Sequence, residues 1–413
     1  ALSLNNLALL YKAQGGLTKA EPLYEEALAI FRRARPPGHP DIASSLNNLA
    51  SLYQVQGRLS EAQPLYEEAL TVRRQALPPS HPDVAISLDN LASLYEAQGR
   101  LAEAESLSDE ALAIFRRALP PGHPDISSGL NNLASIYQAQ GRLSEAQPLY
   151  EEALVLRRRA LPPGHPDIAL SLNNLAVLYQ AQDQLPEARR LFEEALVIHR
   201  QVLPPGHLDT AIGLNNLALL YRAEGNLEAA QPLLEEVLAI FRQALPREHP
   251  DMAAGLINLA GLYHDLGRLS EAQPLYEEAL AIRRRALPPG HPDIAQSLNC
   301  LACLCQDLGR LSEAQPLYEE ALAIRRRALP PGHPDIAQSL NNLARFYQDQ
   351  DRLSEAQPLF EEALAIWRQA LPPGHPYIAH GLNNLASLYR AQGNLDAAAQ
   401  LLEELNHSGS VGG

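Results

Sequence analysis

The sequence predicts an all-α solenoid, a stack of about ten antiparallel helix pairs, and two observations support this prediction. First, the chain of 413 residues repeats with a period of 42 residues, because the tripeptide His-Pro-Asp or a close variant recurs from His39 to His375 without an insertion. Second, the apolar residues within each period follow helical spacing. A fixed period of this length indicates stacked units, each of which buries the apolar face of its neighbour.

The first helix of each unit, called helix A, begins at the His-Pro-Asp motif. In the second unit, Leu46, Leu49, Leu52 and Tyr53 lie three or four residues apart, which places them on one face of a helix. Proline suits the first helical position because its fixed φ fits the helix and its missing N–H would have no partner there. We therefore expect His39 to cap helix A. The A helices are expected near residues 1–14, 41–56, 83–98, 125–140, 167–182, 209–224, 251–266, 293–308, 335–350 and 377–392.

The second helix of each unit, helix B, follows a short turn. We expect Gly57 to end helix A in the left-handed conformation, a position that Asp183 and Asp351 occupy in two other units. Helix B is expected over residues 59–76, and Ser60 with the glutamine three residues later has the spacing of a capping box. A Leu-Pro-Pro sequence then ends helix B, because proline cannot continue it.

The composition limits the classes of partner. One unbroken repeat predicts a single elongated array over residues 1–405 and a flexible tail at 406–413. A net charge of -15 argues against nucleic acid, which requires a basic surface, and against anionic membranes. No apolar run is long enough to span a bilayer. Three cysteines without a disulfide framework fit a reducing cytosol and predict a cytoplasmic protein. Since Ala1 lies in mid-unit, we expect the natural N-terminus upstream.

The repeat has the pattern of a known family. Several positions of the second unit resemble the tetratricopeptide repeat (TPR) signature: Leu49, Ala50, Tyr53, Gly57, Ala62, Tyr66 and Ala69. The 42-residue period, the Asn-Asn-Leu-Ala sequence and the closing His-Pro-Asp are similar to the kinesin light chain type of TPR, which also occurs in many bacterial proteins. This resemblance covers residues 1 to about 405. It implies a right-handed superhelix whose concave wall, formed by the A helices, binds peptides or protein partners.

By this resemblance, the face of helix A opposite the packed leucines lines a groove. In the second unit this face comprises Ser44, Asn47, Asn48, Ser51, Gln54 and Val55. The position of Asn48 is asparagine in nine units, the first of which has Asn6. The candidate groove residues are the other eight: Asn48, Asn90, Asn132, Asn174, Asn216, Asn258, Asn342 and Asn384. An asparagine amide both donates and accepts, so such a row can pair with the backbone of an extended peptide. Alternatively, the same amides bond between adjacent helices and brace the superhelix.

The groove positions that differ between units are candidates for specificity. Leu170 and Val177 in the fifth unit, and Ile212 and Leu219 in the sixth, are apolar where most other units carry small or polar residues. The members of each pair lie seven residues apart on one helix face, so we expect them to form an apolar pocket for a ligand side chain. The alternative is sequence drift at lightly constrained positions, or packing inside the superhelix.

Charged and sulfur-containing side chains also vary along this face. Asp265, Asp307 and Asp349 form an acidic row that favours a basic partner segment, although solvated charges are the commoner explanation. Cys300 and Cys303 lie on the groove face of the eighth A helix, but a zinc site requires four ligands. We interpret these cysteines as small apolar substitutes, and we expect neither metal nor cofactor.

The sequence therefore predicts a non-catalytic scaffold that binds a protein or peptide partner in the A-helix groove. It contains no glycine-rich phosphate loop, no nucleophile elbow and no isolated acid, base or nucleophile outside the repeat pattern. An alternative function is the sensory or autoinhibitory region of a larger bacterial NTPase or protease whose catalytic domain lies outside this chain. A third interpretation is a structural array that associates end to end with other copies.

Overall fold

The computed structural model describes residues 1–409, which form twenty α-helices and no strand. The helices are α1 Leu2–Ala13, α2 Leu17–Ala34, α3 Pro40–Val55, α4 Leu59–Ala76, α5 Pro82–Ala97, α6 Leu101–Ala118, α7 Pro124–Ala139, α8 Leu143–Ala160, α9 Pro166–Ala181, α10 Leu185–Val202, α11 Leu208–Ala223, α12 Leu227–Ala244, α13 Pro250–Asp265, α14 Leu269–Ala286, α15 Pro292–Asp307, α16 Leu311–Ala328, α17 Pro334–Gln348, α18 Leu353–Ala370, α19 Pro376–Ala391 and α20 Leu395–Gly409. Odd-numbered helices are the A helices and even-numbered helices are the B helices. This confirms the predicted all-α solenoid of helix pairs.

Histidine caps the A helices, as predicted. In α3, the backbone N–H of Asp41 donates to Nδ1 of His39 at 3.1 Å, and proline occupies the first turn. The same bond recurs at the equivalent histidines His81, His123, His165, His207, His249, His291, His333 and His375. The motif therefore initiates a helix, since each capped N–H would otherwise have no partner inside the helix.

The turn between helix A and helix B also follows the prediction, but the start of helix B does not. Gly57 has a φ of 71°, and Asp183 and Asp351 adopt the same left-handed conformation at 60° and 59°. The expected capping box at Ser60 is wrong, because α4 begins at Leu59 and places Ser60 inside the helix, with no side-chain cap. The amide of Gln63 instead donates to Glu67 on the next turn, at 2.8 Å.

The helix pairs group into two compact units. The first unit comprises residues 1–97 and 102–289, and the second comprises residues 98–101 and those from 290 onward. In the first unit, for example, α4 packs on α3 and on α5, and in the second unit α16 packs on α15 and on α17. Helix α20 continues to Gly409, four residues beyond the expected end of the array at 405. Residues 410–413 of the expected tail lie outside the described residues.

Alanines allow the helices of a pair to approach closely. Ala50 of α3 and Ala62 and Ala69 of α4 are fully buried, as are most of their equivalents in the other units. Larger side chains, including Phe192 and Leu172, fill the space between helices without remaining exposed. Close packing of this kind makes most of the stability depend on buried apolar area.

Helix B and the next helix A meet at a junction formed by the positions of Arg73 and Ser87. At the first type of junction, Nη1 of Arg73 donates to Oγ of Ser87 at 3.0 Å and to the carbonyl oxygen of Asp83 at 2.7 Å. Equivalent bonds join Arg157 to Ser171 at 3.0 Å and Arg325 to Ser339 at 3.1 Å. Burial lowers the pKa of each of these arginines. We call this arrangement the arginine–serine junction.

The second type pairs an aromatic ring with glycine and is called the aromatic–glycine junction. Its three members are Phe115 with Gly129, Phe241 with Gly255, and Trp367 with Gly381. A Cβ atom added at these glycines would lie 3.2, 3.1 and 3.0 Å from the respective ring. Glycine therefore relieves crowding here, because a side chain at this position would press against the ring.

One junction combines the two types, because Phe31 occupies the position of Arg73 and Ser45 occupies the position of Ser87. The Ser45 hydroxyl is buried and has no hydrogen-bond partner among the described residues. We expect Ser45→Ala to stabilise the array by about 1 kcal/mol, since an unsatisfied buried hydroxyl costs about 1–3 kcal/mol. Ser171→Ala is the matched control and should destabilise the array by about 1 kcal/mol, because it removes the bond from Arg157. Urea unfolding midpoints check both results, and shifts in the same direction would contradict the assignment.

Candidate functional site

The surface that the sequence assigns to partner binding is the A-helix face. In α3, Ser44, Asn48 and Val55 are exposed on it, and Ser51 and Gln54 are half-buried. Asn47 does not belong to this face: it is only 8% exposed, and its Nδ2 donates to the hydroxyl of Ser87 at 3.5 Å. The prediction for Asn47 was wrong because periodicity on one helix does not show how closely the next A helix packs against it.

We call the positions equivalent to Asn48 the outer row and those equivalent to Asn47 the inner row. In the outer row, Asn48 and Asn132 are exposed, and the half-buried members are Asn90, Asn174, Asn216, Asn258, Asn342 and Asn384. Three outer amides donate from Nδ2 to the inner residue of the preceding unit: Asn132 to Asp89 at 3.1 Å, Asn258 to Asn215 at 2.7 Å, and Asn384 to Asn341 at 2.7 Å. At these three positions the amide braces adjacent A helices.

The remaining outer amides do not form this bond. The side chains of Asn48, Asn90, Asn174, Asn216 and Asn342 have no hydrogen-bond partner among the described residues. The inner oxygens that they would serve are buried and also have no partner: Oδ1 of Asn5, Asn47, Asn131, Asn173 and Asn299. At these five pairs of positions, neither the outer amide nor the inner oxygen has a hydrogen-bond partner within the described part of the chain. A buried acceptor without a donor costs stability. These five outer amides therefore have unused hydrogen-bonding capacity.

The four predicted apolar residues lie on the same face. Leu170, Val177 and Ile212 are exposed, and Leu219 is half-buried. A pocket of about 240 Å³ opens between α11 and α13, within the compact unit of residues 1–97 and 102–289. Of the four apolar residues, Ile212 lines this pocket.

The lining of this pocket comes from three consecutive helices. It comprises Leu208, Ile212 and Asn215 of α11, Phe241 of α12, and Asp251, Ala254, Gly255 and Asn258 of α13. The repeat pattern indicated Ile212 and Asn258 on this face, whereas Phe241 and Gly255 belong to an aromatic–glycine junction that the pattern did not predict. The sequence contains the signal for this junction, since glycine replaces serine fourteen residues after Phe115, Phe241 and Trp367.

The charged groups on this face are mostly paired. Asp265 accepts from Nε of Arg222 and from its Nη2, the latter at 3.1 Å, and Asp349 accepts from Gln306 at 2.7 Å. These two members of the predicted acidic row are therefore already engaged by neighbouring side chains. Cys303 is exposed and Cys300 is half-buried, whereas Cys305 is buried.

Asp89 places a carboxyl group in the inner row, where most other repeats have asparagine. Burial raises its pKa to about 7, the bond from Asn132 lowers it, and the nearby Asp125 raises it further. Its Oδ1 is buried and has no partner among the described residues. Seven residues later, burial also raises the pKa of Glu96, which accepts from Ser135 at 3.0 Å.

The repeat geometry agrees with a comparison of the sequence with protein families. Seven segments match the family described as tetratricopeptide repeat: residues 1–75, 41–117, 83–159, 125–196, 167–243, 251–327 and 335–405. The chain is a tetratricopeptide repeat protein. In this TPR array, each A helix and the B helix after it form one repeat.

Solved structures with similar repeats include kinesin light chain types. TPR-like repeats assigned to a kinesin light chain of Podosopora anserina are 33% identical, cover 50% of this chain and 98% of theirs, and align with a TM-score of 0.43. BtubC from P. vanneervenii is 26% identical over 56% of this chain and 91% of its own, with a TM-score of 0.46. RapI without ligand is 12% identical over 89% of this chain and 97% of its own, with a TM-score of 0.49. A search of curated proteins finds no match.

The helices of the TPR array do not have the character of membrane spans. Among the described residues, none of them combines the length and the apolar composition needed to cross a bilayer.

Proposed function

We propose that this TPR array is a non-catalytic scaffold that binds an extended segment of a partner protein along the A-helix face. The observation that carries this proposal is the set of outer amides without a protein partner. A half-buried amide offers a donor and an acceptor in a fixed position, and both are satisfied when a peptide backbone lies against it.

The spacing of the repeats suits such a ligand. Packed helices lie about 8–10 Å apart, whereas an extended peptide advances about 3.3 Å per residue. One outer amide would therefore meet about every third residue of the peptide. Backbone pairing of this kind gives affinity without requiring a particular sequence, so selectivity must come from the positions that differ between units.

The experiment is selection from a random peptide library on the purified array, followed by affinity measurement for the selected peptides. We expect the double variant Asn174→Ala and Asn216→Ala to weaken these peptides by about tenfold, because two backbone contacts are lost. Its unfolding midpoint should be unchanged, since neither amide has a protein partner.

The matched control is the double variant Asn132→Ala and Asn384→Ala, which removes amides that brace adjacent A helices. It should lower the unfolding midpoint, since it removes two hydrogen bonds worth about 1 kcal/mol each. The proposal fails if no peptide is enriched above background, or if the Asn174→Ala and Asn216→Ala variant binds the selected peptides as tightly as the wild type.

A further inference from the structure

The pocket between α11 and α13 exists because several neighbouring positions differ from their equivalents in other repeats. Ile212 occupies the position of Ser44, and Leu208 replaces the proline of the His-Pro-Asp motif. Phe241 and Gly255 form an aromatic–glycine junction, in which the ring lies beneath the pocket where an arginine would otherwise reach between the helices. These differences together produce an apolar cavity on the A-helix face.

The size of the pocket limits its occupant. Its volume is about 240 Å³, whereas a protein cavity of about 150 Å³ already holds benzene. The walls formed by Leu208, Ile212, Phe241 and Ala254 are apolar. One leucine-sized or phenylalanine-sized side chain therefore fits the space and the chemistry of the walls.

Two asparagines lie at the pocket and orient each other. Nδ2 of Asn258 donates to Oδ1 of Asn215 at 2.7 Å, which fixes both amides. This bond leaves Nδ2 of Asn215 and Oδ1 of Asn258 without a partner among the described residues. A donor and an acceptor thus stand side by side, and they complement the C=O and N–H of a residue whose side chain enters the pocket.

The charge at the pocket favours a cation. Asp251 lines it with a side chain that is 61% exposed, and the equivalent Asp209 on α11 is 46% exposed. No lysine or arginine is among the lining residues. A basic side chain next to the apolar one would therefore meet a complementary field.

We propose that this pocket selects the partner of the array: a segment in which a leucine-sized or phenylalanine-sized side chain is adjacent to lysine or arginine. The apolar side chain enters the pocket, Asn215 and Asn258 hold its backbone, and Asp251 attracts the basic neighbour. This inference rests on the proposed function, because it assumes that a peptide segment lies on the A-helix face.

The test uses the full chain and four fluorescein-labelled decapeptides of glycine, serine and alanine, which differ only at two central residues: Phe-Lys, Ala-Lys, Phe-Glu and Ala-Glu. Fluorescence anisotropy should give the tightest binding for the Phe-Lys peptide. We expect Phe→Ala to weaken it by about tenfold, through loss of buried apolar area. Lys→Glu should also weaken it, and this effect should shrink as salt is added.

The pocket is tested by substitutions that introduce the residue found at the equivalent position of another repeat. Ile212→Ser introduces the residue found at Ser44 and should weaken the Phe-Lys peptide by about tenfold without affecting the Ala-Lys peptide. Ile86→Ser is the matched control, because Ile86 holds the same position beside the closed junction of Arg73 and Ser87. It should leave binding unchanged. Asp251→Asn should remove the preference for lysine over glutamate and retain the preference for phenylalanine.

Circular dichroism of each variant shows whether its helical content is preserved, and Ala254→Gln gives a second way to close the pocket, with the residue found at Gln338. The inference is overturned if the four peptides bind equally, or if Ile212→Ser and Ile86→Ser have the same effect. In either case the proposed function still stands when library-selected peptides remain sensitive to Asn174→Ala and Asn216→Ala. Loss of both sensitivities rejects the proposed function as well.

Discussion

Replacing Asp89 with asparagine is expected to stabilise the array strongly at pH 8 and much less at pH 5. Burial raises the pKa of the Asp89 carboxyl to about 7 in the folded protein, compared with about 3.9 in an unfolded chain. An acid with a raised folded pKa retains its proton longer in the folded state. The folded protein thus loses stability relative to the unfolded chain as the pH rises from about 4 to about 7.

Asparagine removes this loss and preserves the contact. It accepts the same bond at equivalent positions, where Asn215 and Asn341 receive an outer amide at 2.7 Å. At about 1.4 kcal/mol per pKa unit, the gain above pH 7 is at most about 4 kcal/mol, and at pH 5 it is about a third of that. Urea unfolding of Asp89→Asn and wild type at both pH values measures the difference.

A reciprocal variant provides the control for this prediction. Asn173→Asp places a carboxyl group in the inner row of another repeat, at a position that is buried. It should destabilise the array at pH 8 and have a smaller effect at pH 5. If the effect of Asp89→Asn is the same at both pH values, ionisation of Asp89 is not its cause.

The two types of junction should show strong coupling when one is converted into the other. Phe115→Arg alone is expected to destabilise the array by about 3–5 kcal/mol, because it buries a cation that lacks its serine partner. Gly129→Ser alone should cost about 1–3 kcal/mol, since its Cβ would lie 3.2 Å from the Phe115 ring. The double variant recreates the junction of Arg157 and Ser171 and should be more stable than the sum of the single effects predicts.

Chemical denaturation of the wild type, both single variants and the double variant forms a complete mutant cycle. We expect a coupling energy of about 1–3 kcal/mol in favour of the matched pair. Additive effects within about 0.5 kcal/mol would show that the ring and the glycine are independent. Because long repeat arrays need not unfold in one step, the comparison uses the midpoint of the same transition in all four proteins.

The periodic part of the fold could be predicted from the sequence because the same local interactions recur in every repeat. The histidine caps, the left-handed turn residues and the bounds of α4 follow from local spacing and backbone chemistry. The burial of Asn47 could not be predicted in this way, since it depends on the distance to the next A helix. The raised pKa of Asp89 has the same origin.

Part of the candidate surface could be located from the sequence, and the rest depends on neighbouring helices. The exposure of Ile212 follows from its position on helix A, whereas the pocket beside it depends on the ring of Phe241, which belongs to α12. The outer asparagines lie where the pattern places them, but the pattern does not distinguish the braced amide of Asn258 from the unpartnered amide of Asn216. That difference is a property of neighbouring helices together, and it is invisible in a single repeat.

The two members of every junction are only fourteen residues apart in sequence, and this has a consequence for how the gene can change. A crossover in the turn between helix A and helix B transfers both members together, whereas one in the Leu-Pro-Pro segment separates them. The stretch from Asp265 to Asn299 is identical to that from Asp307 to Asn341, and each copy begins at the end of helix A and includes an arginine and a serine at the positions equivalent to Arg73 and Ser87. Unequal recombination at that turn therefore lengthens the array by whole, internally matched blocks, so new copies arrive already compatible with their neighbours.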